Sequence, residues 1–215
     1  GRYDIDVIVL DIEMPVMDGL TALPKLLEVD PNVKIIMAST LTERNAEISI
    51  RALSAGATDY VPKPSASRDI SGGADFRREL LSKVKALGKA GGTKVKARPK
   101  TPDRKIAPPR PLPVAKPEPI KLRKLGLQKP GVLAVGSSTG GPQALFAFLK
   151  DLPTNIGVPV VITQHMPPTF TNILANHISS MTSWTCEEAK NGDVLEPGKI
   201  LLAPGDYHMT IDSEG

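Results

Sequence analysis

The segment Gly131–Lys150, GVLAVGSSTGGPQALFAFLK, reads as a strand, a tight turn of small polar residues and a helix. Val132 to Val135 form a continuous apolar run, the pattern of a parallel strand covered on both faces. Ser137, Ser138 and Thr139 then stand at the strand's carboxyl end. Gly136, Gly140 and Gly141 allow a sharp turn, and Pro142 suits the first helical position, where its missing N–H costs nothing. A helix starting there aims free backbone N–H groups at any negative charge beside the hydroxyls. Three readings compete. A phosphate cradle needs GxGxxG, or GxxxxGK followed by Ser or Thr, and GSSTGGP matches neither. A nucleophile turn for acyl transfer needs a serine on a strand-to-helix corner, N–H donors for the oxyanion and a histidine within reach. An ordinary strand–helix connection is the third.

Downstream, Val158 to Gln164, VPVVITQ, reads as another buried strand and delivers His165 at its carboxyl end. Parallel neighbours in one sheet would bring Ser138 and His165 onto one rim, where a hydroxyl and its general base must meet. Met166-Pro167-Pro168 turn the chain, and Thr169 is expected to cap a helix with Phe170, Ile173, Leu174 and Ile178 on one face. His177 sits on or near that face and reads as structural. Trp184–Ala189, Val194-Leu195, Ile200–Ala203 and Tyr207–Ile211 read as short strands separated by Asn191-Gly192 and Pro204-Gly205. His208 is a rival base in a weaker setting.

Upstream, Tyr3–Gly19, YDIDVIVLDIEMPVMDG, contains an apolar strand from Val7 that ends in Asp11. Leu20, Leu23, Leu26 and Leu27 give a helix that Pro24 weakens and Asp30-Pro31 stops. VKIIMA, Val33 to Ala38, is a strand ending at Ser39-Thr40. A helix through Ala46, Ile50 and Leu53 closes at Gly56, and the strand Asp59-Tyr60-Val61 leads to Lys63-Pro64. Three strand ends thus offer a carboxylate, a hydroxyl and an ammonium. That set suits an aspartyl phosphoryl acceptor whose new charge is met by a lysine and a hydroxyl, with help from a divalent metal. Phe76, Leu80, Val84 and Leu87 predict a further helix stopped by Gly88.

The motifs DIEMPVMDG, Ser39-Thr40 after VKIIMA, and DYVPKP resemble a response-regulator receiver domain. The resemblance implies that Asp11 is phosphorylated, that Asp11 and the Glu13 carbonyl hold Mg²⁺, that Ser39 and Lys63 contact the phosphoryl group, and that Tyr60 is the aromatic switch residue. VGSSTGGP followed by ITQHMP resembles the chemotaxis protein-glutamate methylesterases of the CheB type. That resemblance implies Ser138 as nucleophile, Ser137 as its neighbour, His165 as base, and no cofactor for the esterase. It also implies methyl-accepting chemoreceptors as substrates, a histidine kinase as phosphoryl donor, methanol release, and glutamine deamidation by the same chemistry. By the same resemblance a receiver's acidic pair would precede Gly1 and the triad's aspartate would follow Gly215. Neither Asp206 nor Asp212 matches the aspartate motif, so these residues alone are expected to be nearly inactive. The contrasting reading is a receiver-containing adaptor that acts by binding.

Charge marks the boundary between the two motif sets. Lys83 to Lys129 holds 15 of the chain's 27 Lys and Arg against only Asp103 and Glu118, with repeated prolines and no periodicity. No aromatic residue interleaves the basic run for base stacking, so a solvated linker is expected and nucleic-acid binding is not. The lone Cys186 allows no internal disulfide, and no apolar run approaches the roughly 18 to 20 residues that span a bilayer. The chain reads as cytoplasmic, without membrane insertion. The expected architecture is α/β: a partial doubly wound, flavodoxin-like receiver over residues 1–88, a flexible Pro/Lys/Arg-rich linker over 89–129, and a partial parallel-sheet esterase domain over 130–215.

Overall fold

A computed structural model of the chain describes residues 5–64, 70–91 and 129–212. The chain divides into two units, Gly1–Thr93 with Pro130–Gly215, and Lys94–Lys129. The second unit, Lys129 excepted, and nearly all of the expected linker lie outside the described residues.

Its amino-terminal half is a parallel sheet in the order β1-β2-β3, from β1 (Val7–Asp11), β2 (Lys34–Ser39) and β3 (Asp59–Pro62). Helices α1 (Gly19–Val29) and α2 (Glu43–Ser54) make the crossovers, and α3 (Ile70–Gly91) follows β3. Asp18 caps α1 by accepting the Thr21 N–H at 2.7 Å, and Thr42 caps α2 by accepting the Asn45 N–H at 3.2 Å. Alternation along β2 sends Ile35 and Met37 into one apolar cluster with Leu23, Ile50 and Leu53. Ile36 and Ala38 enter another with Val61 and Leu87, and Phe76, Leu80 and Val84 pack against it. One departure from expectation is that the helix does not stop at Gly88 but continues to Gly91; a single glycine disfavours a helix by only ~1 kcal/mol.

The carboxyl-terminal half is a second all-parallel sheet, order β4-β5-β7-β6, from β4 (Leu133–Ser137), β5 (Val160–Gln164), β6 (Thr185–Glu188) and β7 (Lys199–Leu202). Helix α4 (Gly141–Asp151) connects β4 to β5, and α5 (Pro168–Met181) follows β5. Four local expectations are corrected. β4 is an edge strand among the described residues, so Ala134 and Gly136 are exposed and it is not covered on both faces. α5 begins at Pro168, a position proline favours, which leaves Thr169 inside the first turn and not capping. Neither Val194-Leu195 nor Tyr207–Ile211 forms a strand: Val194, Tyr207 and Ile211 remain exposed, with no strand among the described residues to pair them.

Both halves contribute to one apolar cluster. The Tyr60 ring of β3 stacks on Phe170 of α5, centroids 4.5 Å apart, and Ile50 and Leu53 share the cluster with Phe170, Leu174 and Ile178. Cys186 is buried there, and burial, followed by the Glu187 charge, pushes its thiol up to about 12; it is a packing residue and a poor nucleophile. Among the described residues no helix is long and apolar enough to cross a membrane.

His177 of α5 joins the halves through a 2.5 Å hydrogen bond between Nε2 and Ser54 Oγ of α2, with its ring edge-on to Phe146. Burial lowers its pKa below the ordinary 6.5. An unfolded or undocked imidazole therefore binds a proton as pH falls through 6.5 while the docked one resists, so stability drops with falling pH in that range. The melting temperature is expected to decline between about pH 7 and pH 5 more steeply in the wild type than in His177→Gln. Identical pH profiles for the two would show that this contact carries no proton linkage.

Candidate functional site

Two rims carry the residues singled out in the sequence. On the first, parallel pairing of Asp11 with Ala38 and of Ser39 with Pro62 brings three strand ends into line. Lys63 Nζ lies 2.6 Å from Asp11 Oδ2, and Asp11 Oδ1 accepts the Glu13 N–H at 3.2 Å. The loop closes through the Gly19 N–H on the Ile12 carbonyl. Gly19 has to be glycine, since a Cβ there would lie 2.1 Å from the Asp11 carbonyl oxygen. Ser39 is not on Asp11. Its buried Oγ is 3.1 Å from Ser49 Oγ of α2, within a cluster where Ser49 donates to the Asn45 carbonyl. Tyr60 is buried against Phe170 with Lys83 Nζ 4.8 Å from its ring centroid, and burial, then Asp59 and Glu79, raises its phenol pKa well above 10.0.

Magnesium asks for six oxygens in near-octahedral array, commonly with one or two carboxylates among them. Both Asp11 oxygens already have partners, the Glu13 side chain accepts from Asn45 Nδ2, and the described residues hold no group of three His, Cys, Asp or Glu fit for a metal. Asp11 and the Glu13 carbonyl would supply two of the six oxygens that magnesium needs.

On the second rim, the β4–β5 register pairs Ser137 with Gln164, and the last rung is the His165 N–H on the Ser137 carbonyl at 3.1 Å. Ser138 follows that rung directly on β4's side, and His165 is its donor. Both are exposed, and Ser138 Oγ lies 3.4 Å from His165 Nδ1. The separation is long for a hydrogen bond but within the range that unliganded hydrolase sites show before substrate tightens them. His208 is exposed on the loop after β7 and is not the serine's partner. His165 also lines a cavity of about 700 Å³ together with Thr40, Thr42, Tyr60, Glu79 and Asp206, so both halves of the unit border it.

Two of the turn's N–H donors have partners. Gly140, at φ 72°, begins α4 and donates its N–H to Asp59 Oδ2 of β3 at 3.3 Å, while the Gly141 N–H goes to the Ser138 carbonyl at 2.8 Å. The positive end of a helix attracts a carboxylate, and Asp59 supplies one from the other half of the unit. Asp59 is itself buried, with Lys83 Nζ 3.1 Å from Oδ1 and the Tyr60 N–H donating to the same oxygen at 2.8 Å. Sequence reading placed Asp59 only as the start of a strand.

A family model for the CheB methylesterase matches residues 133–214, and one for the response regulator receiver domain matches residues 1–72. The chain carries a receiver domain and a CheB methylesterase domain. It is 48% identical over 224 residues to a protein-glutamate methylesterase/protein-glutamine glutaminase 1 of Paramagnetospirillum magneticum, covering 100% of this chain and 58% of the relative. It is 54% identical over 223 residues to the protein-glutamate methylesterase/protein-glutamine glutaminase of Azospirillum brasilense, covering 98% of this chain and 55% of the relative. It is also similar to the crystal structure of the Thermotoga maritima CheB methylesterase catalytic domain, at 42% identity over 38% of this chain and 43% of that one, with a TM-score of 0.36. The chain spans somewhat more than half the length of these curated relatives. Receiver and methylesterase domains thus share this sequence, in the order that its two motif sets predicted.

Proposed function

We propose that the intact protein is a phosphorylation-controlled chemotaxis hydrolase that removes γ-methyl esters from glutamates of methyl-accepting chemoreceptors. The observation that carries this reading is the meeting of Ser138 and His165 at the ends of two hydrogen-bonded parallel strands. His165 takes the Ser138 proton as Oγ attacks the ester carbonyl, and the bond to the methoxy group breaks as that proton passes to the leaving methanol. Water, deprotonated by His165, attacks the acyl-enzyme, frees the glutamate and returns the serine. With a glutamine side chain the same sequence releases ammonia. The Gly140 N–H, which donates to Asp59 Oδ2, serves the oxyanion once Asp59 withdraws.

Control belongs to the receiver. A histidine kinase supplies the phosphoryl group to Asp11, Lys63 moves from carboxylate to phosphoryl oxygen, and Ser39 Oγ turns away from Ser49 to donate to the new charge. Ser49 lies on α2, which packs on α5 beside the esterase site, so this rearrangement bears directly on the surface joining the two domains.

The test is methanol release from chemoreceptor membranes carrying labelled methyl esters, with and without a small-molecule phosphodonor. The donor is expected to raise the wild-type rate about tenfold or more, the change that a ~1.4 kcal/mol bias produces. Asp11→Asn should stay at the basal rate. No methanol release under either condition would reject the hydrolase reading, and equal stimulation of Asp11→Asn would reject the control scheme.

A further inference from the structure

Gln164 is the last residue of β5 and is buried, yet neither the apolar clusters nor the chemistry above accounts for its side chain. Its amide is fully engaged. Oε1 accepts from Ser137 Oγ at 2.5 Å, and Nε2 donates to the Ser138 carbonyl at 3.0 Å and to the His165 carbonyl at 3.4 Å. The two carbonyls can only accept, so they take the amide NH₂ and fix its orientation, and the Ser137 hydroxyl donates to the oxygen that remains. The neighbourhood is built to admit it: a Cβ on Gly141 would stand 2.3 Å from Oε1 and 2.9 Å from Ser137 Oγ.

The position explains the need. The β4–β5 ladder ends with the His165 N–H on the Ser137 carbonyl, so the Ser138 backbone and the His165 carbonyl lie just beyond the last rung. Past that point the two backbones have no ladder bond to fix their separation. One amide bridges them, with one N–H for the carbonyl of each residue.

We propose that Gln164 is a positioning residue for the hydrolysis, clamping the main chains of Ser138 and His165 so that Oγ and the imidazole keep their reach. The proposal rests on the reading of Ser138 as nucleophile and His165 as base. Glutamine is specific to this task. Glutamate keeps the shape but, ionised, has no N–H and sets a negative charge against two carbonyl oxygens, while methionine keeps the length and offers no donor.

The experiment compares Gln164→Met, Gln164→Glu and Ser138→Ala in the intact protein by methanol release, with melting curves to establish folding. Gln164→Met is expected to lower kcat about 10- to 100-fold with KM within about twofold of wild type, the penalty for roughly an ångström of misplacement. Gln164→Glu is expected to lose more at neutral pH and to recover relative to wild type as pH falls, because a protonated carboxyl regains one donor. Should Gln164→Met fail to fold, the pH-dependent recovery of Gln164→Glu carries the test alone. Wild-type kcat in both Gln164 variants, with Ser138→Ala inactive, would overturn the proposal and leave the hydrolase reading standing. A Gln164→Glu deficit that is constant with pH would also overturn it, since lost packing has no reason to titrate. Full activity in Ser138→Ala would instead remove the reading on which the proposal depends.

Discussion

Ser138→Ala in the intact protein is expected to lower methanol release by about 10⁴- to 10⁶-fold, or roughly 5.5 to 8 kcal/mol of transition-state stabilisation. The melting temperature should be nearly unchanged. Ser138 is exposed, and among the described residues its hydroxyl approaches His165 Nδ1 at 3.4 Å, so its removal leaves no cavity and no buried orphan. Ser137→Ala is the informative contrast. Ser137 Oγ donates at 2.5 Å to Gln164 Oε1, beneath the turn, and its loss should cost stability and a modest part of the rate without abolishing turnover. Because nucleophile and base act as a unit, His165→Ala should be about as damaging as Ser138→Ala, and the double variant little worse than either. Release of labelled methanol under single-turnover conditions measures all four. A Ser138→Ala rate within tenfold of wild type would take that residue out of the mechanism.

The chemistry of the two rims is legible in the sequence because parallel strands place their carboxyl ends on one edge of a sheet. Continuous apolar runs ending in Asp11, Ser39, Ser138 and His165 are enough to bring each pair of ends together, whatever the loops do between them. The cross-chain partners were not legible. Asp59 meets Gly140 across 81 residues of sequence, and nothing about a polar residue opening a short strand names a distant helix end as its partner. Gln164 failed to stand out for the opposite reason. A polar residue closing an apolar strand is ordinary, and only the ladder's end beside it makes its two N–H groups matter. Ser39 shows a third limit. Its place on the rim follows from the strand pattern, but its hydroxyl turns to Ser49, a choice between rotamers that no periodicity encodes. The strand expected at Tyr207–Ile211 marks where propensity misleads, since β-branched and aromatic residues do not form a strand without a neighbour to pair with.

Asp59→Asn is expected to do two opposed things at once. Asp59 Oδ1 holds Lys83 and the Tyr60 N–H, while Oδ2 holds the Gly140 N–H. An asparagine amide can keep its oxygen toward Lys83, but its NH₂ then faces the Gly140 N–H, donor against donor. Lys83 retains Glu79 at 3.1 Å and the Tyr60 carbonyl at 2.6 Å, so the loss should fall at or below the lower end of the range for breaking a buried pair, about 3 kcal/mol. For a chain of this size that corresponds to roughly 6 to 12 °C in melting temperature. Yet the basal rate of the unphosphorylated protein should rise about tenfold or more, because a donor able to serve the oxyanion no longer holds a competing carboxylate. Lys83→Met separates the two effects. It removes the buried cation and costs comparable stability, but leaves the Asp59 carboxylate on the Gly140 N–H, so its basal rate should not rise. If Asp59→Asn and Lys83→Met lose stability together and neither raises basal methanol release, the Asp59–Gly140 contact is an adhesive between domains and no brake on the esterase. A rise in Asp59→Asn alone would locate restraint of the unphosphorylated enzyme in one carboxylate at the start of α4.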